Sequence, residues 1–258
     1  MPKIHPRALV SERAEIAENV QIGPFAIIDA GVRIDSGCTI GPQAWITGRS
    51  ILGRDNKIGC GSIIGDLPQD TSFDPETDSN VIIGDNNTIR EYVTINRSTA
   101  NGGSTVVGND NFIMTGAHLA HDVTLGNHNI LANNVLVAGH IQMGNHNFLG
   151  GGSGYHQFLH IGDYCMIQGN SAITRDVPPY CMAHGQNKLA GLNTIGLRRA
   201  GFNAEQRKEI KRAYKILFHN GGNLAESLAM AESELWPECA MRLINAVRTP
   251  SRKGVMTR

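Results

Sequence analysis

Aliphatic residues return every six positions from the start of the chain: Ile4, Val10, Ile16, Ile22, Ile28, Ile34, Ile40, Ile46, Leu52, Ile58 and Ile64. The count breaks over residues 66–81 and resumes at Ile83, Ile89 and Ile95. It misses a beat at Asn101, then runs from Val107 through Ile113, Leu119, Leu125, Leu131, Val137, Met143, Leu149, Tyr155, Ile161 and Ile167 to Ile173. An α-helix needs apolar spacings of three and four, and an ordinary strand alternates over only a short run. The residue four after the aliphatic one is small or β-branched, as at Ala8, Ala14, Val20, Ala26, Val32, Cys38 and Ala44. Such hexapeptides each supply a short strand and a turn, with the aliphatic side chain inward. Asn and Gly suit the turns, where positive φ is easy for them, and the pairs Asn86-Asn87 and Asn133-Asn134 fit that role. Neighbouring coils satisfy one another's backbone groups, so the stack is quasi-one-dimensional. The fold class this predicts is mainly β: a parallel β-helix over residues 1–190.

After Arg175 the repeat stops at "DVPPY", where two prolines close the β region. The period then changes. Ile210, Ala213, Tyr214, Leu217 and Phe218 fall on one face of a helix, with Asn203 as its N-cap and Asn220 to Gly222 as its stop. A second helical stretch begins near Leu224, is interrupted at Pro237 and resumes through Met241 and Ile244. Residues 191–258 are therefore read as a small helical domain.

Composition excludes several classes. Twenty-three basic and 23 acidic side chains give zero formal charge, which offers no footprint for a nucleic acid or an anionic membrane. No run of about 18 apolar residues exists, so no transmembrane segment is expected. Cys38, Cys60, Cys165, Cys181 and Cys239 are scattered, odd in number and without C-x-x-C spacing. That pattern, and a start without a signal sequence, point to a reducing, cytoplasmic setting.

Chemistry concentrates between Thr115 and His140, which hold four histidines. With three hexapeptides to a coil, positions 18 apart stack. His121, Gly139 and Gln157 then form one column at a turn, with His140 and His156 each one position off it and His118 three residues before it. His118, His121, His140, His156 and Gln157 should meet on one edge of the prism. His128 and His146 also stack, each inside "GNHN", and read as turn filler. A neutral imidazole with its usual pKa near ~6.5 can take a proton from a hydroxyl. Three imidazoles could instead hold zinc and activate water. Asp122 could orient His121 at a turn, although neighbours on a regular strand point apart.

The motifs "AHLAHD" (Ala117 to Asp122), "ILANN" (Ile130 to Asn134), "AGH" (Ala138 to His140), "HQF" (His156 to Phe158), "DVPPY" and "LRRAGF" (Leu197 to Phe202) resemble those of the acyl-carrier-protein:UDP-N-acetylglucosamine O-acyltransferases, in the same order along the whole chain. That resemblance implies a left-handed prism and a homotrimer with active sites between prisms. The activity it implies is the first step of lipid A assembly. A 3-hydroxyacyl chain passes from acyl carrier protein to the sugar 3-hydroxyl of UDP-N-acetylglucosamine, with no cofactor and no metal. It implies His121 as general base with Asp122 as helper, and Gly139 as the backbone N–H donor to the thioester oxyanion. Substrate contacts would come from Gln69, Asp70, His118, His140, His156, Gln157, Asn193 and Arg199, and Gly169 falls at the acyl-chain ruler. Five positions depart from the family pattern: Ser72 replaces a lysine, Asn96 a histidine, Ser98 a glycine, Ile195 an acid and Ala200 an arginine. Loss of charged groups around a diphosphate weakens its charge-assisted hydrogen bonds. Three other readings stand beside this one: the same chemistry on another sugar nucleotide, a zinc hydratase like the γ-class carbonic anhydrases, and a non-catalytic scaffold.

Overall fold

The computed structural model describes residues 1–257, most of which coil into a parallel β-helix. Its three sheets contain 11, 9 and 8 strands. Most strands are two residues long, and the second residue is the buried aliphatic of the hexapeptide, as at Ile22, Ile28 and Ile34. Paired strands lie 18 residues apart along most of the stack, as in Lys3–Gln21–Thr39–Lys57. Two coils are longer. Lys57 pairs with Thr88, 31 residues on, and Thr88 with Phe112, 24 residues on. The surplus leaves the prism as two corner loops, residues 67–79 and 97–103, at the break and the missed beat of the repeat.

Asn and Gly are not alone at the positive-φ turns, and His128 and His146 stand there as the spacing predicts. Asn86 and Asn134 do have positive φ, but so do Phe25, Tyr92, Asp122, His128, His140, His146, Phe158 and Tyr164. This conformation costs an ordinary L-residue about 1–2 kcal/mol. Two interactions offset it. Each such N–H except that of Asp122 donates to a carbonyl of the coil below, as from His140 to His121 at 3.1 Å and from Phe158 to Gly139 at 3.1 Å; Asp122 N–H donates to Thr105 Oγ1. The side chains also stack: His128 on His146 and His146 on Tyr164, each at 4.7 Å between ring centres.

A buried asparagine ladder crosses the second half of the stack. Asn87, Asn111, Asn129 and Asn147 each donate their backbone N–H, at 2.8–2.9 Å, to the side-chain oxygen of the asparagine one coil earlier, beginning at Asn56. Asn129 sits in the middle and is fully buried. Asn129→Ala removes the acceptor of the Asn147 N–H and the donor to Gly144 O at 3.0 Å. Unsatisfied buried groups cost about 1–3 kcal/mol each. A drop of this size in stability by urea denaturation is expected, and an unchanged midpoint would show that water takes over the ladder.

The prolines at 178 and 179 do not end the sheet. Cys181–His184 pairs parallel with Met166–Ile167 and antiparallel with Lys188–Leu192, so a hairpin finishes the β structure. Four helices follow: α1 (Thr194–Arg199), α2 (Ala204–His219), α3 (Leu224–Glu232) and α4 (Glu238–Arg248). Asn203 caps α2 reciprocally with Gln206, and Ile210, Ala213, Tyr214 and Leu217 are buried. Pro237 separates two helices instead of interrupting one, standing at the N-cap of α4. No helix among the described residues is long and apolar enough to cross a membrane.

Candidate active site

His118 opens the strand His118–Leu119 on the nine-stranded sheet, and His121 follows on the adjoining turn. The predicted column forms. A groove of about 800 Å³ is lined by Gln69, Thr94, His118, His121, Leu136, Gly139, His156 and Gln157. Six polar side chains, from three coils and the 67–79 loop, thus share one cleft with an apolar floor, the usual build of a small-molecule site.

His121 and Asp122 are both largely buried, and Nδ1 of His121 meets a carboxylate oxygen of Asp122 at 2.7 Å. Neighbouring side chains can converge here because Asp122 sits at φ +60°, off the strand geometry that would splay them. With Nδ1 engaged by the carboxylate, Nε2 is the ring nitrogen left for chemistry. Burial pushes the Asp122 carboxyl up. Hydrogen bonds from Ser98 and Thr99 and the contact with His121 outweigh that and hold it at about 2. A depressed carboxyl contributes stability above its unfolded pKa of about 3.9, and that contribution fades as pH falls toward 2. Asp122 therefore stays a carboxylate through the range in which histidines titrate.

Gly139 packs on the face of the imidazole: a Cβ there would lie 2.5 Å from His121 Cε1 and 2.8 Å from Nε2. Glycine is required first by the His121 ring itself, which leaves no room for a Cβ. The Gly139 N–H has no acceptor among the described residues. His118 Nδ1 lies 2.7 Å from the Thr94 hydroxyl, and burial, with His121 next to it, lowers its pKa. Thr94 was not foreseen, although it pairs with His118 across the longer coil.

His140 is not on the groove wall. Its Nε2 stands 3.7 Å from Asp122, its ring meets His121 edge-on at 5.1 Å, and its other face stacks on Phe158 at 4.5 Å. His121, Asp122 and His140 also place one donor atom each within 4.8 Å of one another, a set that could take a metal ion.

Asp70 is exposed on its loop and accepts from the Ser72 N–H at 2.9 Å and hydroxyl at 2.8 Å, which lower its pKa, with a smaller contribution from His121. Ser72 thus serves the aspartate directly. Asn96 is buried and donates to Leu67 O at 2.9 Å, bracing the root of the same loop. Gly169 is not a positive-φ glycine; its missing Cβ faces Gly151 O at 3.0 Å. Asn193 and Arg199 do not join the groove. Asn193 caps α1, accepting from Gly196 N–H and donating to Tyr164 O at 3.0 Å, and Arg199 is exposed at the last turn.

Known proteins repeat this architecture. Residues 13–48 and 104–139 match the bacterial transferase hexapeptide family, and residues 176–256 match the second domain of UDP-N-acetylglucosamine O-acyltransferases. The chain is 44% identical to an acyl-acyl-carrier-protein–UDP-N-acetylglucosamine O-acyltransferase of Sulfurovum sp. strain NBC37-1, over 99% of this chain and 98% of that one. It is 39% identical to the enzyme of that name from Syntrophobacter fumaroxidans, over 98% and 99%. The structure of the UDP-N-acetylglucosamine acyltransferase of Bacteroides fragilis superposes with a TM-score of 0.93 at 40% identity, covering 98% and 99% of the two chains. The Campylobacter jejuni structure gives 0.93 at 35%, covering 99% and 100%. A buried His–Asp pair on a hexapeptide prism, with relatives matched end to end, makes this chain an acyltransferase of the acyl-acyl-carrier-protein–UDP-N-acetylglucosamine O-acyltransferase family.

Proposed function

We propose that the chain transfers a 3-hydroxyacyl group from acyl carrier protein to the 3-hydroxyl of UDP-N-acetylglucosamine, the first step of lipid A assembly, in the cytoplasm. The observation that carries the mechanism is the engagement of His121 Nδ1 by Asp122, which leaves Nε2 to a groove shared with Gly139, His156 and Gln157. Nε2 takes the proton of the sugar hydroxyl as its oxygen attacks the thioester carbonyl. The Gly139 N–H donates to the oxyanion that develops. Collapse breaks the carbon–sulfur bond, and the imidazolium returns the proton to the departing thiolate. No metal or cofactor enters this sequence. Gln69, Asp70, His118, His156 and Gln157 are assigned to substrate contact, and His140 acts from behind Asp122.

The same reading makes the protein a homotrimer. Ile130, Phe148 and Met166 stack into an exposed apolar column on the eleven-stranded sheet, of the kind that a second copy covers. Asn193 and Arg199 would reach the groove from that second copy. Sedimentation should give three chains per particle; a monomer active at full rate would defeat this part of the proposal.

The test of function is a mass-spectrometric assay with 3-hydroxyacyl carrier proteins of several lengths and UDP-N-acetylglucosamine. An acylated sugar nucleotide is expected. Gly169→Met should shift the preferred chain to a shorter one, with overall activity on that chain kept. Absence of product with every chain would move the acceptor to another amino-sugar nucleotide, the reading that Ser72, Asn96, Ile195 and Ala200 favour. The donor cluster of His121, Asp122 and His140 is the observation behind a zinc-dependent reading. That reading requires stoichiometric bound zinc and loss of activity on chelation, and the acyl-transfer reading requires neither.

A further inference from the structure

Asp122 is gripped by the part of the chain that the repeat does not need. The coil before the site takes 24 residues, with Thr94 pairing to His118, where a regular coil takes 18. The surplus forms the 97–103 loop, and that loop closes over the carboxylate. The Ser98 hydroxyl donates to one oxygen of Asp122 in a short hydrogen bond. The Thr99 hydroxyl donates to the other at 2.7 Å, and the Thr99 N–H reaches it at 3.2 Å. The Asp122 N–H in turn donates to Thr105 Oγ1 at 2.8 Å.

The loop is anchored in its turn. Ser79 Oγ donates to Ser98 O at 2.6 Å, and the Arg97 guanidinium donates to Thr77 O at 3.1 Å and Pro75 O at 2.7 Å. These partners lie on the 67–79 loop, which also bears Gln69 and Asp70. The two corner loops are therefore one cross-braced body, fixed to the groove wall on one side and to Asp122 on the other.

We propose that Ser98 and Thr99 are positioning residues for acyl transfer: their hydroxyls fix the Asp122 carboxylate in the one orientation that aims His121 Nε2 into the groove. This rests on His121 being the general base. Among the described residues, the side chains facing the carboxylate come from three directions. His121 comes from its own turn and His140 from the next coil, at 3.7 Å; Ser98 and Thr99 come from the loop. His121 also acts on Asp70 of the 67–79 loop, and Arg252 lies over Phe158, behind His140.

The hydroxyls have a second, separable effect. Each donor draws charge from the carboxylate and leaves less to attract the Nδ1 proton of His121. Without them the carboxylate favours the imidazolium more strongly, so the base is protonated at higher pH. A misplacement of about 1 Å at a reacting group costs up to about 10²-fold in rate.

The experiment compares Ser98→Ala, Thr99→Val and the double variant with Thr99→Ser as the conservative rescue and His121→Ala as reference. Full-length enzyme is assayed with acyl carrier protein and UDP-N-acetylglucosamine across pH. The double variant should lose about 10–10²-fold in kcat, with KM for the sugar nucleotide within about twofold, by the same misplacement argument. The acid limb of kcat/KM should move to higher pH, and Thr99→Ser, which keeps both hydroxyls, should retain the parental kcat and limb. A double variant with unchanged kcat and acid limb overturns the proposal. So does a loss of activity that follows the melting temperature with no movement of the limb. If His121→Ala keeps its activity, the base assignment itself fails. If His121→Ala is inactive and the double variant is not impaired, only the positioning role fails.

Discussion

His121→Ala, and equally His121→Gln, should lower kcat by about 10²–10⁴-fold while the protein melts within a few degrees of the parent. No neighbour can take over. His118 has its Nδ1 on the Thr94 hydroxyl and no carboxylate behind it, and burial disfavours its protonated form. His140 reaches the far side of Asp122, away from the groove wall. The glutamine variant matters because it keeps much of the ring's volume but cannot accept a proton at neutral pH. The acid limb of the parent should belong to a histidine and not to Asp122, which remains ionised down to about 2. Initial rates over pH 5–8 would check both points. A His121→Gln enzyme with more than a tenth of parental kcat would end the general-base assignment.

Gly139→Ala should be nearly as damaging, by at least about 10²-fold, because it acts on two steps at once. The new methyl would lie 2.5 Å from Cε1 of His121, so the ring must swing away. It is the softer partner in that clash, since the Gly139 backbone is tied into the stack through its carbonyl, which accepts from Phe158 N–H at 3.1 Å. The displaced ring loses its 2.7 Å contact with Asp122, and the methyl crowds the N–H assigned to the oxyanion. The fold has little to lose, for Gly139 is not a positive-φ position. The expected signature is therefore an enzyme that melts like the parent and turns over slowly. A Gly139→Ala enzyme with normal kcat would show that the ring has room the structure does not contain.

The architecture was legible because a stack of coils turns sequence distance into spatial distance. Spacings of 18 were enough to bring His121, Gly139 and Gln157 together, with His118 and His156 beside them. The same arithmetic placed His140 on that edge but could not say which way its ring faces, and it faces Asp122 and Phe158. Adjacent residues were expected to diverge, so the His121–Asp122 contact stayed open until the φ of +60° at Asp122 accounted for it. The insertion was visible as the missed beat at Asn101. Its grip through Ser98 and Thr99 was not, since loop contacts carry no period. The asparagine ladder did carry one: Asn56, Asn87, Asn111, Asn129 and Asn147 each stand two residues before an inward aliphatic. The helix α1 holds six residues, too few for any periodic signal.

The two long coils show how such a molecule tolerates changes in length. An added hexapeptide, as between Thr88 and Phe112, returns the strand to its own sheet with its inward residue still inward. The surplus between Lys57 and Thr88 is no multiple of six, and it leaves the prism wholly as a corner loop before the count restarts in phase. A single-residue deletion within a coil has no such exit: it would turn the next aliphatic outward and carry the error up the stack. Insertions and deletions in this lineage should therefore gather at the corners, where new loops can be gained over a groove without disturbing one core side chain.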